Sequence, residues 1–487
     1  MSGFSFDATV AVLVIPAIAA AVLALLPGYR AAARVNVLAS FMTFLAALSL
    51  FAGGKGEAGQ YLFVDELNIV FIVLNTFVGF TASLFSAGYI RHELEGGRIS
   101  PANLRFYHAM YQTMLFGMNL AFVANNIGLM WVAVELATLT TVLMVGLYRT
   151  HEALEAAWKY FILGSVGIAL ALFGTILVYM AAQPVVGEGN DAMVWTVLVA
   201  NASGFDAGLL NLAFVFLLIG YGTKVGLAPL HAWLPDAHAE GPTPISAVLS
   251  GLLLNVALYA VLRFKILLAA SPGALAPGPL MIGMGLVSLV FAAFMLYRRR
   301  DIKRLFAYSS IEHMGIIVFA FGMGGPLANF AGLLHMVMHS LTKSAIFYCV
   351  GHIAQIRGTQ KMTEISGMTV THPALGWAFL VGVAAIAGLP PMGVFMSEFL
   401  IVTSTFAVEP WLAVPLVAGL VVAFGALMMR ATGIAFGEPP ENRPAGNGPG
   451  WLAYMPIYAH LALVLAAGIY LPPALVGWFR HVAGLLG

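Results

Sequence analysis

The sequence predicts an all-α, polytopic membrane protein, and its composition carries most of that prediction. Hydrophobic residues make up 61% of the 487 residues, charged residues make up 9%, and the mean hydropathy is +0.93. Such values are typical of chains built mostly from membrane-spanning helices. Apolar runs of about 20 residues, each long enough to cross a bilayer, recur along the chain. The net charge of +1 gives no indication of nucleic-acid binding.

Fourteen apolar segments are long enough to span a membrane. They lie near 9–27, 33–52, 66–89, 106–124, 127–148, 157–181, 209–230, 244–269, 278–297, 303–323, 328–354, 374–403, 411–436 and 451–479. We expect one integral membrane domain, 1–487, whose first three helices occupy 1–105. Helices four to eight fall in 106–270, helices nine to thirteen in 278–436, and the last helix in 451–487.

The distribution of Lys and Arg predicts the orientation of these helices. Connections after odd-numbered helices, with their flanks, hold sixteen basic residues: Arg30, Arg34, Arg91, Arg98, Arg105, Arg149, Lys159, Arg298, Arg299, Arg300, Lys303, Arg304, Arg357, Lys361, Arg430 and Arg443. The opposite side holds Lys55, Arg263, Lys265 and Arg480. Because basic residues accumulate on the cytoplasmic side, we expect both termini and the loop at 183–205 to be periplasmic, in a bacterial cytoplasmic (inner) membrane.

One stretch, Gly222 to Ser246, interrupts an apolar run with a lysine, two histidines, two acids and four prolines. Lys224 lies about 15 residues into the run, inside the hydrocarbon, so its ammonium group must face protein or water. Pro229 predicts a break in the helix, and freed backbone carbonyls in a membrane are tolerated only where they line a cavity. The stretch favours a site on an ion path. The alternative is a lysine that snorkels to the nearer surface.

Glu135 is a second charged residue inside a predicted span, the fifth. We expect it to face Lys224, because each charge lowers the desolvation penalty of the other. A purely structural ion pair is the alternative. Further titratable groups at a similar depth favour a role in transport.

His335, His339 and Lys343 are spaced four residues apart and therefore share one helix face. A histidine can donate and accept a proton near neutral pH, so this stripe predicts a proton relay. Ordinary packing histidines are the alternative. Metal binding by the two histidines is disfavoured, because no acid stands near them on that helix and the third residue is a cation.

A second interrupted helix is predicted around Pro390 and Pro391, and Glu398 follows that break inside the membrane. Paired, interrupted helices in the two halves of a chain indicate inverted repeats, which would relate helices four to eight to helices nine to thirteen. Glu135, Lys224, His335, His339, Lys343 and Glu398 together predict a lateral proton path. A further set of candidates for this path comprises His231, Asp236, His238, Asn255, Glu312 and His313.

The single cysteine, Cys349, excludes an internal disulfide and a Cys-ligated cluster in this chain. No nucleophile motif or nucleotide-binding loop is visible either. We therefore expect that any redox chemistry coupled to this protein is performed by another chain.

At these motifs the chain resembles the antiporter-like membrane subunits of respiratory complex I, Mrp-type cation/proton antiporters and membrane-bound group 4 NiFe hydrogenases. The resemblance is most specific at 222–246, 301–310 and 335–343. It implies fourteen helices with two inverted five-helix repeats, and broken helices at 209–230 and 374–403. It also implies that Glu135 and Lys224 form the key Glu/Lys pair, with Glu398 as the ionisable group of the second broken helix.

Asn255 departs from the pattern of that family, in which many members carry Lys or His in the eighth helix. Asn cannot carry a proton as a charge, so a relay would cross this point through water or through the stripe of His335 and His339. The segments 252–255 and 310–315 look most like the hydrogenase-4 component F branch of the family.

The resemblance implies a proton-translocating subunit, without a redox centre of its own, of a redox-driven complex of the hydrogenase-4/formate hydrogenlyase or complex I type. Its implied partners are other membrane-arm subunits, a peripheral oxidoreductase module, lipid and protons, with Na⁺ as an alternative ion. A NiFe centre, Fe–S clusters or quinone would belong to partner subunits. The rival interpretations are a subunit of a Mrp-like Na⁺/H⁺ antiporter or inorganic-carbon uptake complex, and a scaffold whose buried charges only hold helices in register.

Overall fold

The computed structural model describes residues 7–52, 58–439 and 448–487. These residues form twenty α-helices, joined by short turns. In chain order the helices are α1 (Ala8–Leu25), α2 (Tyr29–Ser49), α3 (Glu66–Glu95), α4 (Pro101–Val123), α5 (Ile127–Val145), α6 (His151–Val186), α7 (Trp195–Asn201), α8 (Ala207–Val225), α9 (Trp233–Glu240), α10 (Thr243–Val248), α11 (Leu254–Ala269), α12 (Gly278–Leu296), α13 (Ile302–Met323), α14 (Gly325–Arg357), α15 (Met368–Thr371), α16 (Pro373–Ile386), α17 (Gly393–Val408), α18 (Ala413–Ala435), α19 (Met455–Ile469) and α20 (Pro473–Leu485).

Eleven helical segments of the described chain are long and apolar enough to cross a membrane. Every one of the fourteen predicted spans contains at least one helix, and the remaining three correspond to α4, to α14 and to the shorter apolar helices α16 and α17. The prediction of an all-α, polytopic membrane protein is confirmed.

Both predicted helix interruptions are present. α8 ends four residues before Pro229, and α9 begins at Trp233. α16 ends at Ile386, before the two prolines, and α17 begins at Gly393. In each case a proline removes a backbone donor and blocks the preceding helical turn.

One expectation about segment shape is wrong. The last predicted span, 451–479, is divided into α19 and α20, because Pro472 and Pro473 cannot continue α19. The loop expected at 183–205 corresponds to the connection between α6 and α8, which includes the last residues of α6 and the short helix α7.

The contacts within the structure divide the chain into two compact units. The first comprises Met1–Lys224 and Asn255–Pro277, and the second comprises Val225–Leu254 and Gly278–Gly487. In the first unit α4 packs against α1 and α5, and α5 packs against α6. The predicted boundaries of the two repeats stay a prediction.

Small residues bring α6 and α8 of the first unit close together. A Cβ added at Gly220 of α8 would lie 2.5 Å from the Ala171 nitrogen and 2.6 Å from the Gly167 oxygen, both backbone atoms of α6. Glycine is therefore required for this backbone approach, as is common between helices in membranes.

The second unit is built around α14, whose side chains are buried along most of its length. α10, α13, α16, α17, α19 and α20 all pack against α14. Beside it, α12 and α13 make the most extensive helix pair, in which Gly285 and Gly315 face each other's backbone. This arrangement places the polar side chains of α14 in the interior of the unit.

Several basic residues used to predict orientation are buried and bound. Arg263 donates two hydrogen bonds to Asp65, at 2.7 and 2.8 Å, and its guanidinium lies 4.4 Å from the centre of the Trp195 ring. Lys303 donates to the carbonyls of Ala239 and Gly241, at 3.1 and 2.7 Å. Two further residues of the orientation argument, Lys55 and Arg443, lie outside the described residues. The orientation itself stays a prediction.

Candidate functional site

The predicted pairing of Lys224 with Glu135 is present. Lys224 Nζ, in the last turn of α8, donates to Glu135 Oε2 of α5 at 3.1 Å. The Lys224 side chain is 2% exposed and that of Glu135 is 17% exposed. The buried cation therefore has a counter-charge that retains access to the surface of the unit.

Two features of the first unit suit Lys224 to its position. The carbonyl end of a helix carries partial negative charge, and Lys224 lies in the last turn of α8. A Cβ at Gly164 of α6 would lie 2.9 Å from Lys224 Nζ, so glycine leaves the space that the ammonium group occupies. Sequence reasoning does not find Gly164, since nothing in an apolar helix marks one glycine as the neighbour of a distant lysine.

The first helix break belongs to the second unit, and part of its backbone is hydrogen-bonded there. The Ala228 N–H donates to Ser288 Oγ of α12 at 2.9 Å, and Ser288 in turn donates to the Met284 carbonyl at 2.7 Å. His231 packs with its ring 4.8 Å from that of Phe291. A side chain of a neighbouring helix thus replaces a lost helical hydrogen bond, as a break in a membrane requires.

Two histidines from different helices meet inside the second unit. Nδ1 of His313 on α13 lies 3.0 Å from Nε2 of His335 on α14. The other nitrogen of His335, Nδ1, lies 2.9 Å from Ser397 Oγ of α17. Glu312 Oε2 lies 3.4 Å from Nε2 of His313. Both histidines are buried.

The hydrogen bonds of Ser397 assign the proton positions in this chain of groups. Ser397 Oγ donates to the Val394 carbonyl at 2.8 Å, so it accepts from His335 Nδ1. In a neutral His335, Nε2 then accepts the proton of His313 Nδ1. Nε2 of His313 faces Glu312 Oε2 without a hydrogen bond, so the hydrogen-bonded chain runs from His313 through His335 to Ser397 and can shift protons by changes of tautomer.

His339 and Lys343 continue the predicted stripe along α14, and both are buried. The His339 ring lies 5.5 Å from the His313 ring. Lys343 Nζ donates to the Phe306 carbonyl at 2.9 Å and lies 5.5 Å from the centre of the Phe306 ring. The stripe therefore faces α13, which supplies both Glu312 and His313.

Glu398 of α17 belongs to the same cluster. One carboxylate oxygen lies within 4.8 Å of a ring nitrogen of His313 and of one of His335. The carboxylate also lies against Gly388, where a Cβ would collide with it, in the second helix break. Ser397, the other α17 residue of this cluster, is not among the predicted candidates.

The remaining candidates are placed differently. Asp236 forms an ion pair with Arg304 at 2.9 Å. His238 is buried, with its ring stacked 4.8 Å from that of Phe347. Asn255 is buried in the first unit. The roles of all these residues in a proton path stay predictions, as does the connection of the two units by such a path.

Comparison with known proteins identifies the family of this sequence. The model of the family described as "NADH:quinone oxidoreductase/Mrp antiporter, TM" matches residues 124–423. A hydrogenase-4 component F homolog from Methylacidiphilum infernorum is 62% identical over 98% of this chain and 99% of the relative. A Na⁺/H⁺ antiporter subunit from Alkalihalophilus pseudofirmus is 27% identical over 85% of this chain and 81% of the relative.

The fold is also shared with a solved structure. A chain of the membrane-bound sulfane sulfur reductase, an archaeal respiratory membrane complex, superimposes with a TM-score of 0.86 at 22% identity, covering 98% of both chains. At that identity the likeness concerns the fold alone. Since the family model covers more than half of the sequence and includes Glu135, Lys224 and the histidine cluster, the chain belongs to the NADH:quinone oxidoreductase/Mrp antiporter transmembrane family.

Proposed function

We propose that this chain is the proton-translocating, antiporter-like subunit of a multisubunit membrane complex driven by an oxidoreductase reaction in neighbouring subunits. The observation that carries the proposal is the ion pair of Lys224 and Glu135, a buried ammonium group held by a partly accessible carboxylate. An intramembrane ion pair at a helix break is expensive to bury and is typical of ion pathways.

The pair can act as a switch for a proton on Lys224. Two unit charges about 4 Å apart interact by about 4 kcal/mol at an effective dielectric constant of 20. Moving one charge across 100 mV takes about 2.3 kcal/mol. Neutralising or displacing Glu135 leaves the Lys224 ammonium group buried without its counter-charge, which is costly. The interaction energy lost in this way is similar to the energy of moving one charge across 100 mV. Release of the Lys224 proton against a membrane potential then becomes favourable.

The second unit supplies further groups for the same task. Glu312, His313 and His335 form a row of proton donors and acceptors with short separations. Lys343 and Glu398 add a cation and a carboxylate to the same interior. We propose that this row loads and releases a proton in each transport cycle.

The relatives and the composition of the protein support a proposal for its partners and its membrane. Similarity to the hydrogenase-4 component F homolog supports other membrane-arm subunits and a peripheral oxidoreductase module as partners. Fe–S clusters, a NiFe centre or quinone would then belong to those partners. We place the chain in the bacterial cytoplasmic membrane with both termini periplasmic, supported by the distribution of its basic residues.

A Na⁺/H⁺ antiporter subunit is the second candidate. It is favoured by the 27% identity to the antiporter subunit of Alkalihalophilus pseudofirmus. The two functions differ in a simple test: an antiporter exchanges protons for sodium without an electron donor, whereas the proposed subunit moves protons only while its complex oxidises a substrate.

Proton translocation in inverted membrane vesicles tests the proposal. Hydrogen, formate and NADH are supplied in turn, with and without sodium, and acidification is followed with a pH-sensitive dye. Lys224→Met and Glu135→Gln should each abolish acidification in complexes that still assemble. Lys224→Arg should also fail, because an arginine stays protonated although it preserves an ion pair.

The matched control is Lys159→Met. Lys159 is exposed on α6 and pairs with Glu155 at 2.7 Å, so its replacement should leave acidification unchanged. Full acidification by an assembled Lys224→Arg complex would show that charge pairing alone suffices and that Lys224 carries no proton.

A further inference from the structure

We propose that His313, His335 and Glu398 form a binding site for a divalent transition-metal ion of the zinc type inside the second unit. Each residue offers one ligand atom, and the three atoms lie within 4.8 Å of one another. Two imidazoles and one carboxylate are a ligand set that zinc uses in proteins.

The spacing of the two ring nitrogens suits a shared metal ion. His313 Nδ1 and His335 Nε2 lie 3.0 Å apart. Zinc binds histidine nitrogens at about 2.0–2.1 Å, so two such nitrogens on a tetrahedral ion lie about 3.3 Å apart. A slight increase in the distance between the His313 and His335 rings is therefore enough for the ion to replace the shared proton, and Glu398 then supplies the third ligand.

Each histidine has a polar neighbour on the side away from the site, and that of His335 is hydrogen-bonded to it. Ser397 Oγ accepts a hydrogen bond from His335 Nδ1–H at 2.9 Å, which leaves the Nε2 lone pair directed at the site. Glu312 Oε2 lies 3.4 Å from His313 Nε2 without a hydrogen bond between them, and a small approach would let it accept a hydrogen bond from Nε2–H and leave the Nδ1 lone pair for the ion. Carboxylate–histidine–metal and hydroxyl–histidine–metal arrangements of this kind orient the ligands of known sites.

The charges of the cluster also match a divalent cation. Glu312 and Glu398, when both ionised, balance the two positive charges of the ion, so the burial cost of the isolated charges is reduced. Lys343 lies further along α14 with its ammonium group bound to the Phe306 carbonyl, and its charge still acts on Glu312 and His313, so the ion binds best when this lysine is neutral. Nitrogen-rich ligands favour zinc over magnesium or calcium.

The ligands of this site differ from the pair of histidines whose metal binding the sequence disfavours. His335 and His339 lie on one helix with no acid beside them in the sequence. The structure adds His313 from α13 and Glu398 from α17 to His335, and leaves His339 outside the set. The acid and the second histidine come from other helices, which a spacing argument on one helix does not reveal.

Metal occupancy should compete with the protons of the same groups. Metal ligands must be deprotonated, so binding displaces protons from this row of residues. This consequence rests on the proposed function, whereas the binding itself does not. Zinc should therefore block proton translocation if these residues lie on the path.

Zinc binding is measured on the assembled membrane complex, isolated through a histidine-free affinity tag on this chain. Samples are equilibrated with Zn²⁺, washed, and examined by elemental analysis and X-ray absorption. The parent should retain one more zinc than His335→Ala or Glu398→Gln, with a spectrum showing two imidazoles. Ser397→Ala should weaken binding by about 10- to 100-fold, as expected for loss of an outer partner.

His339→Ala is the matched control, because it removes a buried histidine of the same helix that is outside the ligand set, and it should retain the zinc. Equal zinc content in the parent, His335→Ala and Glu398→Gln would mean binding at surface histidines only and would overturn the site. Vesicle acidification separates the two proposals. Site-bound zinc that leaves acidification unchanged would support the site and refute a proton path through it.

Discussion

Asn255 is the residue at which the proposed path lacks a titratable group. It is buried in the first unit. Replacement by leucine leaves the space filled but removes its hydrogen-bonding capacity, which is worth about 1–3 kcal/mol at a buried position. We expect Asn255→Leu to slow vesicle acidification about tenfold, since about 1.4 kcal/mol changes a rate tenfold.

Asn255→Lys and Leu254→Ala complete that experiment. The lysine restores the residue type common in the family at this helix and should support acidification, while Leu254→Ala reports the effect of an ordinary packing change beside it. Acidification at the parental rate in Asn255→Leu would remove this residue from the path.

The ionised carboxylate of Asp65 contributes to the stability of the fold in a way that depends on pH. Burial alone would raise the pKa of its carboxyl, but the charge and hydrogen bonds of Arg263, with N–H groups of Asn68 and Leu67, outweigh burial and lower the pKa. The stabilisation from this ionised group is therefore complete above the unfolded-state pKa of about 3.9 and is lost as pH falls through the lower folded value.

Asp65→Asn should reduce the free energy of unfolding by about 3 kcal/mol at neutral pH, because it leaves Arg263 buried without its counter-charge. Thermal unfolding monitored by tryptophan fluorescence measures the loss. The difference in unfolding free energy between variant and parent should narrow below about pH 4. Asp7→Asn is the control, since Asp7 caps α1 in an exposed position with hydrogen bonds to backbone N–H groups. A difference in unfolding free energy that does not change with pH would contradict an ionised pair of Asp65 and Arg263.

The residues of the candidate site are predictable from the sequence to different degrees. The pairing of Lys224 with Glu135 follows from the cost of a lone charge in a membrane, so the order of residues along the chain is enough to infer it. Ser397 and Gly164 cannot be inferred in this way, because a serine or a glycine in an apolar helix gives no signal of its distant neighbour. The meeting of His313 with His335 and Glu398 depends on how three helices pack.

At the level of single elements, proline decides where helices end. The breaks at Pro229 and at Pro390 are predictable because a proline inside an apolar run has a definite steric effect. The break between α19 and α20 has the same cause, but the surrounding run is apolar enough to be taken for one span. Short helices such as α7 carry too few residues for a clear periodic pattern.

The approach of α6 to α8 can be tested at one glycine. Gly220→Leu would place side-chain atoms against the Ala171 and Gly167 backbone of α6, and such overpacking costs about 1–3 kcal/mol or more. The displaced α8 would also carry Lys224 away from Glu135. We expect a lower temperature of aggregation, measured by size-exclusion chromatography after heating, and loss of vesicle acidification.

Gly88→Leu is the matched control for that variant. Gly88 lies in α3, and a Cβ added there would have no other atom within 4 Å, so a larger side chain should leave both the aggregation temperature and the acidification unchanged. Equal behaviour of the two glycine variants would show that α6 and α8 tolerate separation.

For the molecule as a whole, composition alone is sufficient to predict the class of fold, because few globular proteins combine 61% hydrophobic with 9% charged residues. The division into two units is not predictable in detail. Its boundaries, after Lys224 and before Asn255, fall within the region that sequence reasoning assigns to one repeat. Contacts between segments far apart in the chain set such boundaries.

Orientation in the membrane is a prediction about the whole molecule. In a Cys349→Ser background, Arg300→Cys should react with an impermeant thiol reagent only from the cytoplasmic side, and Glu188→Cys only from the outside. Arg300 and Glu188 are both exposed, so each new thiol is accessible to the reagent. Labelling of Arg300→Cys from outside would reverse the assigned orientation.

The burial of Lys303 has a consequence for limited proteolysis. Its ammonium group is held by the Ala239 and Gly241 carbonyls at the end of α9, while Arg298 and Arg300 are exposed in the connection before α13. Trypsin must take a lysine or arginine side chain into its specificity pocket before it cleaves. In the folded protein it should therefore cut this connection at the arginines and spare Lys303, so that the α13 fragment keeps Asp301, the residue that caps its first turn.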